Sequence, residues 1–216
     1  MTEELSDNAV KFIEDNSSDP FFLYLSYNAP HTPLQATAMD LERNNHIEVE
    51  KRRTYAAMVS SMDDGIGLIL DKLEEKKITD NTIVIFFSDN GGVEWYNFSD
   101  NGILRGIKGD FYEGGIRVPF FFHWKGIIKS GINTKTSISH LDIFPTIIDA
   151  IGDNNFDDEF DAWLDSSAVI WAAHNCFGTD AERILKVQHW MCPCAVWCIA
   201  FWFHLCSWVG RCQHTT

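Results

Sequence analysis

The 216-residue sequence predicts an α/β protein in which helices flank a mainly parallel sheet. Residues 82–87 form a continuous apolar, β-branched and aromatic run, which is typical of a strand buried on both faces. Apolar residues recur at helical spacing over residues 48–77, so a long helix is predicted before that strand. Strands that alternate with helices in this way favour a parallel sheet with helices on its faces.

Four further elements are predicted along the chain. They are a helix at residues 5–16, strands at residues 21–27 and 118–124, and a helix that begins near Leu141. Ser139 stands where it can cap this last helix. His140 and Asp142 are interpreted as capping and dipole partners of the helix start rather than as a site pair.

Polar groups with metal- and anion-binding chemistry follow the buried strand. Asp89 and Asn90 come directly after it and offer oxygen donors, which suit a hard divalent cation. Lys108 lies on a glycine-rich segment nearby, and its point charge suits a tetrahedral oxyanion. Ligands of open α/β sheets gather beyond the carboxyl ends of the strands. The pattern predicts half of a site that hydrolyses a charged ester, although Asp-Asn-Gly-Gly is also a common turn sequence.

A family resemblance strengthens this interpretation over residues 1–153. Pro30-His31-Thr32-Pro33 resembles the Pro-His-x-Pro segment of sulfatases, and Ser88-Asp89-Asn90-Gly91-Gly92 resembles their metal-binding strand end. Further similarity follows in the family's order at residues 53–67, 104–109, 113–119 and 140–146. No single motif is decisive, but the ordered set is highly specific. The resemblance implies a partial alkaline-phosphatase-like fold.

The resemblance also implies roles for individual residues. Asp89 and Asn90 would be ligands of Ca²⁺, with Mg²⁺ as the alternative. His31 would contact the sulfate ester and help protonate the leaving oxygen, and Lys108 would bind a sulfate oxygen and the bridging oxygen. Arg105 is assigned to substrate binding with them. Outside the family context, such a histidine is more often a loop residue and such a lysine a solvated charge.

The sequence departs from the family pattern in one respect. Sulfatases carry a Cys/Ser-x-Pro-x-Arg signature, whose first residue becomes the formylglycine nucleophile, and the six cysteines here lie between Cys176 and Cys212 without opening such a signature. We therefore expect residues 1–153 to be part of a sulfatase catalytic domain that is inactive alone. The parent protein would be exported and would hydrolyse a sulfate ester of a sugar or aryl alcohol. The alternatives are a phosphoester or phosphonate-monoester hydrolase of the same superfamily and a non-catalytic, anion-binding chain.

Residues 154–216 form a tail without family resemblance, which holds six of the eight tryptophans and every cysteine. Three interpretations compete: a zinc site at Cys192, Cys194, Cys198, His204 and Cys206, a membrane anchor over residues 190–209, and a frameshifted or chimeric join. The abrupt change of composition favours the last. It predicts that the tail packs poorly, is cleaved first by protease and lowers solubility.

Charge excludes one class of partner. Lys and Arg total 17 against 31 Asp and Glu, so a nucleic-acid surface is not expected. Asp63 and Asp64 are interpreted as solvated helix charges, because the apolar positions mark the other side of the long helix. Those inward positions are Met58, Met62, Ile66, Leu70 and Leu73.

Overall fold

A computed structural model describes residues 1–151 and the strand at residues 198–204. These residues confirm the α/β class and divide into two compact units, one of residues 1–130 with the 198–204 strand and one of residues 131–151. The α-helices are α1 (Thr2–Asn16), α2 (Ala38–Arg43), α3 (Glu50–Glu75), α4 (Glu94–Asn97), α5 (Glu113–Ile116) and α6 (Ile143–Ile151). The strands are β1 (Phe22–Tyr27), β2 (Thr82–Phe87), β3 (Phe120–Trp124) and β4 (Cys198–His204). Short 3₁₀ turns precede β2 and α6, at Thr79–Asn81 and His140–Asp142.

The described sheet has the strand order β1-β4-β2-β3. β4 runs antiparallel to both β1 and β2, so β1 and β2 point in the same direction. β3 runs antiparallel to β2, with Phe87 opposite Phe120. The expectation of a mainly parallel sheet is therefore corrected: each described strand pair is antiparallel. The chain leaves β2 and enters β3 at the same end of the sheet, which reverses its direction.

The core of the first unit lies where α1 and α3 pack beside β1. Ile13 of α1 and Ile69 and Leu73 of α3 are fully buried, and Leu25 of β1 is 5% exposed. The helical spacing predicted Met58, Met62 and Leu73 as inward residues, and all three are buried. Leu70 was expected inward but is 41% exposed. Ile69 occupies the buried side in its place, because α3 turns by about 100° per residue.

A close contact joins α1, α3 and the end of β1. A Cβ atom added to Gly65 would lie 2.0 Å from Ser6 Oγ, so the glycine lets the helices approach each other. Ser6 Oγ lies 2.9 Å from the Tyr27 hydroxyl, and both side chains are buried. This hydrogen bond satisfies two polar groups that would otherwise be costly inside the core.

The second unit shows the expected helix cap. The Leu141 amide donates to Ser139 Oγ at 3.2 Å, and the Ser139 amide donates to the Asp142 carboxylate, which completes a capping box. Burial raises the pKa of Asp142, and the Ser139 hydrogen bond opposes this shift. The prediction that Ser139 caps the helix and that Asp142 is its capping partner is confirmed.

The tail contributes one described element, the strand β4. It lies between β1 and β2. That residues 154–216 as a whole pack poorly stays a prediction. The remaining tail residues, which include Cys192, Cys194 and Cys206 of the zinc alternative, lie outside the described residues, as does most of the candidate anchor. No described helix has both the length and the apolar character that a membrane span requires.

Candidate active site

The loops that carry the predicted site residues leave the sheet at one end. Tyr27, the last residue of β1, pairs with Cys198, and Phe87, the last residue of β2, pairs with Ile199. The two strands therefore end level with each other on either side of β4. Since neighbouring strands are about 4.8 Å apart, the two exit points are separated by roughly 10 Å. His31 follows one exit and Asp89 follows the other.

Asp89 and Asn90 lie in a turn fixed by hydrogen bonds on both sides. The Ser88 amide donates to the Pro119 carbonyl at 3.2 Å, and Ser88 Oγ donates to the Asn90 carbonyl at 3.1 Å. Asn90 Nδ2 donates to the Gly91 carbonyl at 3.0 Å, which turns its Oδ1 away from that carbonyl. Both site residues are partly exposed.

Glycines let three loop segments pack backbone against backbone. The Gly91 amide donates to the Gly115 carbonyl at 2.9 Å, and a Cβ added to Gly91 would lie 1.7 Å from the Gly114 carbonyl oxygen. A Cβ on Gly114 would lie 2.1 Å from the Gly106 carbonyl oxygen. Any side chain at these two positions would push the segments apart. The glycines therefore set the distance between the Asp89 turn and the Lys108 loop.

Lys108 sits in a tight turn beside the Asp89 loop. The Ile107 amide donates to Asp110 Oδ2 at 3.0 Å, and the Asp110 amide donates back to the Ile107 carbonyl at 2.9 Å. The Lys108 amide donates to the Gly92 carbonyl at 3.4 Å. The structure thus brings the backbone of Lys108 next to the chain that carries Asp89 and Asn90. The Lys108 ammonium is in no ion pair with a described residue.

Arg105 lies on the same loop and stacks on an aromatic ring. Its guanidinium carbon is 3.8 Å from the centroid of the Tyr112 ring, a cation–π contact. The Arg105 carbonyl accepts a 2.7 Å hydrogen bond from the Gly114 amide. The guanidinium is exposed and keeps donors for an anion while the ring limits its motion.

His31 lies on the other loop and is oriented by its own backbone. The His31 amide donates to the Asn28 carbonyl at 2.9 Å, and its Nδ1 lies 2.6 Å from the Thr32 carbonyl oxygen. A carbonyl only accepts, so Nδ1 carries the proton in this contact. Nε2 is then the ring nitrogen left to exchange a proton with a ligand. The imidazole is exposed.

Asn101, which the sequence analysis did not single out, connects these loops. Its Nδ2 donates to the Gly92 carbonyl at 3.0 Å and to the Gly106 carbonyl at 3.1 Å, and its Oδ1 accepts from the Gly92 amide at 3.0 Å. In the sequence it stands in Asp100-Asn101-Gly102, which is typical of a turn. The turn sequence gives no indication of the hydrogen bonds that Asn101 makes to Gly92 and Gly106.

Two other carboxylates are confirmed as surface charges. Asp63 and Asp64 are exposed on α3, and Asp64 forms an ion pair with Arg43 of α2. They take no part in the candidate site. The described residues contain no group of three or more His, Cys, Asp or Glu side chains that could hold a metal ion.

Comparison with known proteins identifies the family. The sequence profile of the sulfatase family matches residues 1–153. The chain belongs to the sulfatase family. It is 36% identical over 154 residues to an arylsulfatase of Hemicentrotus pulcherrimus, which covers 70% of this chain and 27% of that protein. It is 34% identical over 159 residues to the steryl-sulfatase of Homo sapiens, covering 70% of this chain and 26% of that protein.

A solved structure is also similar to this sulfatase chain. The crystal structure of Ps i-CgsB in complex with k-i-k-neocarrahexaose matches with a TM-score of 0.70 and 40% identity, covering 73% of this chain and 35% of that one. The chain thus spans about a quarter of the length of these two sulfatase relatives and about a third of the length of Ps i-CgsB. The alkaline-phosphatase-like fold implied by the sequence is the fold of these sulfatase neighbours.

Proposed function

We propose that residues 1–153 supply part of the active site of a sulfuric ester hydrolase. The observation that carries the proposal is the packing of the Asp89 turn against the glycine-rich segments that follow it: the Gly91 amide donates to the Gly115 carbonyl, and the Lys108 amide donates to the Gly92 carbonyl. It places an oxygen-donor pair and a cation on adjoining segments at one end of the sheet. Family membership favours sulfate ester hydrolysis as the chemistry of this arrangement.

Asp89 and Asn90 would hold a hard divalent cation, Ca²⁺ or alternatively Mg²⁺. The donor set fits in kind, because one carboxylate and one amide oxygen are ligands that such cations prefer. The number is too small for a complete shell, since Ca²⁺ takes about 6–8 oxygen ligands. We therefore assign these two residues as one side of the metal site. The cation would neutralise charge on the sulfate oxygens.

Lys108 and Arg105 would bind the sulfate group. The lysine is a compact charge on a loop fixed by the Asp110 turn, and the arginine presents its donors from the Tyr112 ring. Fixed cations favour a transition state in which negative charge accumulates on sulfate and bridging oxygens. Lys108 serves the bridging oxygen, and Arg105 orients the non-bridging oxygens.

His31 would donate a proton to the leaving oxygen. A departing alkoxide is a poor leaving group until it is protonated, and a histidine beside it can supply that proton. The Thr32 carbonyl holds Nδ1, which leaves Nε2 as the ring nitrogen that would donate the proton. Because the exit points of β1 and β2 are about 10 Å apart, a substrate can bridge His31 and the Asp89 side.

The nucleophile would come from outside these residues. The 216-residue sequence contains no Cys/Ser-x-Pro-x-Arg segment, so none of its side chains is a candidate for conversion to formylglycine. In a complete site formylglycine supplies the group that attacks sulfur. We propose that the 216 residues alone bind a sulfate group without turning over its ester.

A sulfated saccharide is the substrate class that we propose for the complete protein. Support comes from the similarity to Ps i-CgsB, whose structure holds the oligosaccharide k-i-k-neocarrahexaose. An aryl sulfate is the simpler substrate for assay, because the proposed chemistry concerns only the sulfate and its leaving oxygen.

Calorimetric titration of the 216-residue chain with sodium sulfate at low ionic strength tests the proposal. Lys108→Ala should weaken sulfate binding at least tenfold. The matched control is Lys125→Ala, since Lys125 pairs with Asp80 at the opposite end of the sheet and should not affect binding. In the same design, Asp89→Ala should weaken Ca²⁺ binding and Asp80→Ala should not.

Two results would contradict the assignment. Equal sulfate affinity in Lys108→Ala and the unchanged chain would remove the lysine from the site. Hydrolysis of a fluorogenic aryl sulfate by the 216 residues, at a rate that Lys108→Ala abolishes, would disprove the proposed lack of turnover.

A further inference from the structure

The hydrogen bonds of Asn101 distinguish it from an ordinary turn residue. Oδ1 and Nδ2 pair with the amide and carbonyl of the single residue Gly92, as a neighbouring peptide group would. Nδ2 donates its other hydrogen to the Gly106 carbonyl. The Asn101 backbone is fixed as well, because its amide donates to Glu94 Oε1 at 3.0 Å and its carbonyl accepts from the Leu104 amide at 3.1 Å.

The two residues that the Asn101 side chain contacts lie next to the proposed ligand groups. Gly92 is two residues after Asn90, and Gly106 is two residues before Lys108. The direct contact between these loops, from the Lys108 amide to the Gly92 carbonyl, is 3.4 Å long and therefore weak. The Asn101 bonds of 3.0 and 3.1 Å are the stronger link.

We propose that Asn101 is a positioning residue that fixes Lys108 relative to the Asp89–Asn90 turn, so that binding of a sulfate group depends on the Asn101 amide. The inference rests on the proposed function, since it concerns the same anion site. An amide is required because the position uses both Nδ2 hydrogens and one oxygen lone pair. Leucine has a similar shape but none of these hydrogen-bonding groups, and alanine lacks both the shape and the groups.

Sulfate titration of Asn101→Leu and Asn101→Ala tests the inference without introducing charge. We expect each variant to bind sulfate about tenfold more weakly than the unchanged chain, in line with loss of a partly buried set of hydrogen bonds. Ile69→Val is the matched control, because it weakens the core on α3 away from the loops. If Ile69→Val lowers the denaturation midpoint by as much as the Asn101 variants do, it should still bind sulfate normally. That result would separate positioning from general destabilisation.

The outcomes distinguish this inference from the proposed function. Sulfate binding that requires Lys108 but is unchanged in both Asn101 variants overturns the inference alone. Equal weakening in Ile69→Val and the Asn101 variants also overturns it, since stability would then explain the loss. If the unchanged chain shows no sulfate binding that depends on Lys108, both proposals are overturned.

Discussion

The contact of α1, α3 and β1 and the loops at residues 88–116 are held together by different kinds of interaction. In the first region, apolar side chains such as Ile13, Ile69 and Leu73 are fully buried against one another. In the loops, glycine backbones touch and amides such as that of Gly91 donate across segments. Apolar burial is roughly additive and tolerates small shifts, whereas the loop contacts are directional. The scaffold can therefore be stable while the site depends on a few backbone positions.

This difference explains which parts of the structure the sequence could predict. Helical spacing located α3 and three of its six buried residues, and the apolar run located β2 within one residue. The assignment of Leu70 instead of Ile69 to the buried side shows the limit of spacing alone. Both residues are apolar, and they are adjacent in the sequence, so they lie only about 100° apart around the helix. The sequence placed Asp89 and Asn90 at the strand end, and that placement holds.

Long-range pairing could not be predicted in the same way. The position of β4 between β1 and β2 depends on the partners that its backbone finds, for which local composition carries no signal. The Asn101 hydrogen bonds likewise join segments that a sequence pattern does not relate. The catalytic and ligand roles of His31, Lys108, Arg105, Asp89 and Asn90 remain predictions.

The largest expected effect is on the scaffold, from deletion of residues 154–216. β4 is the described strand that pairs with β1, so its loss leaves β1 without a described strand neighbour and divides the sheet. We expect the shortened chain to lose its cooperative unfolding transition, measured by circular dichroism in urea.

Deletion of residues 205–216 is the control for that truncation, because it keeps β4. A cooperative transition retained after the larger deletion would show that β4 contributes little. It would instead support the sequence-based expectation that residues 154–216 pack poorly.

Leu73→Ala should have the next largest effect and should act on stability alone. Leu73 is fully buried on α3, and removal of such a side chain loses transfer free energy and leaves a cavity. We expect the free energy of unfolding to fall by about 3 kcal/mol in urea denaturation. Sulfate affinity should be unchanged in the folded fraction. A selective loss of sulfate binding at full stability would contradict the separation of scaffold and site.

Gly91→Ala should have a smaller effect on stability and a larger one on the site. The added methyl would meet the Gly114 carbonyl oxygen at 1.7 Å, and since that atom is backbone, one loop must move. Overpacking typically costs about 1–3 kcal/mol, and we expect a loss of stability in that range. The same movement separates Lys108 from Asp89, so we expect sulfate binding to be lost.

The same substitution at Gly67 on α3 makes the comparison sharper. A Cβ there meets nothing within 4 Å beyond the backbone of its own helix, so Gly67→Ala should leave sulfate binding intact. It should also raise stability by up to about 1 kcal/mol, because alanine favours the helix over glycine. Sulfate titration and urea denaturation of both variants then compare one methyl group in the two regions. If Gly91→Ala binds sulfate as well as Gly67→Ala does, close backbone contact does not set the geometry of the site.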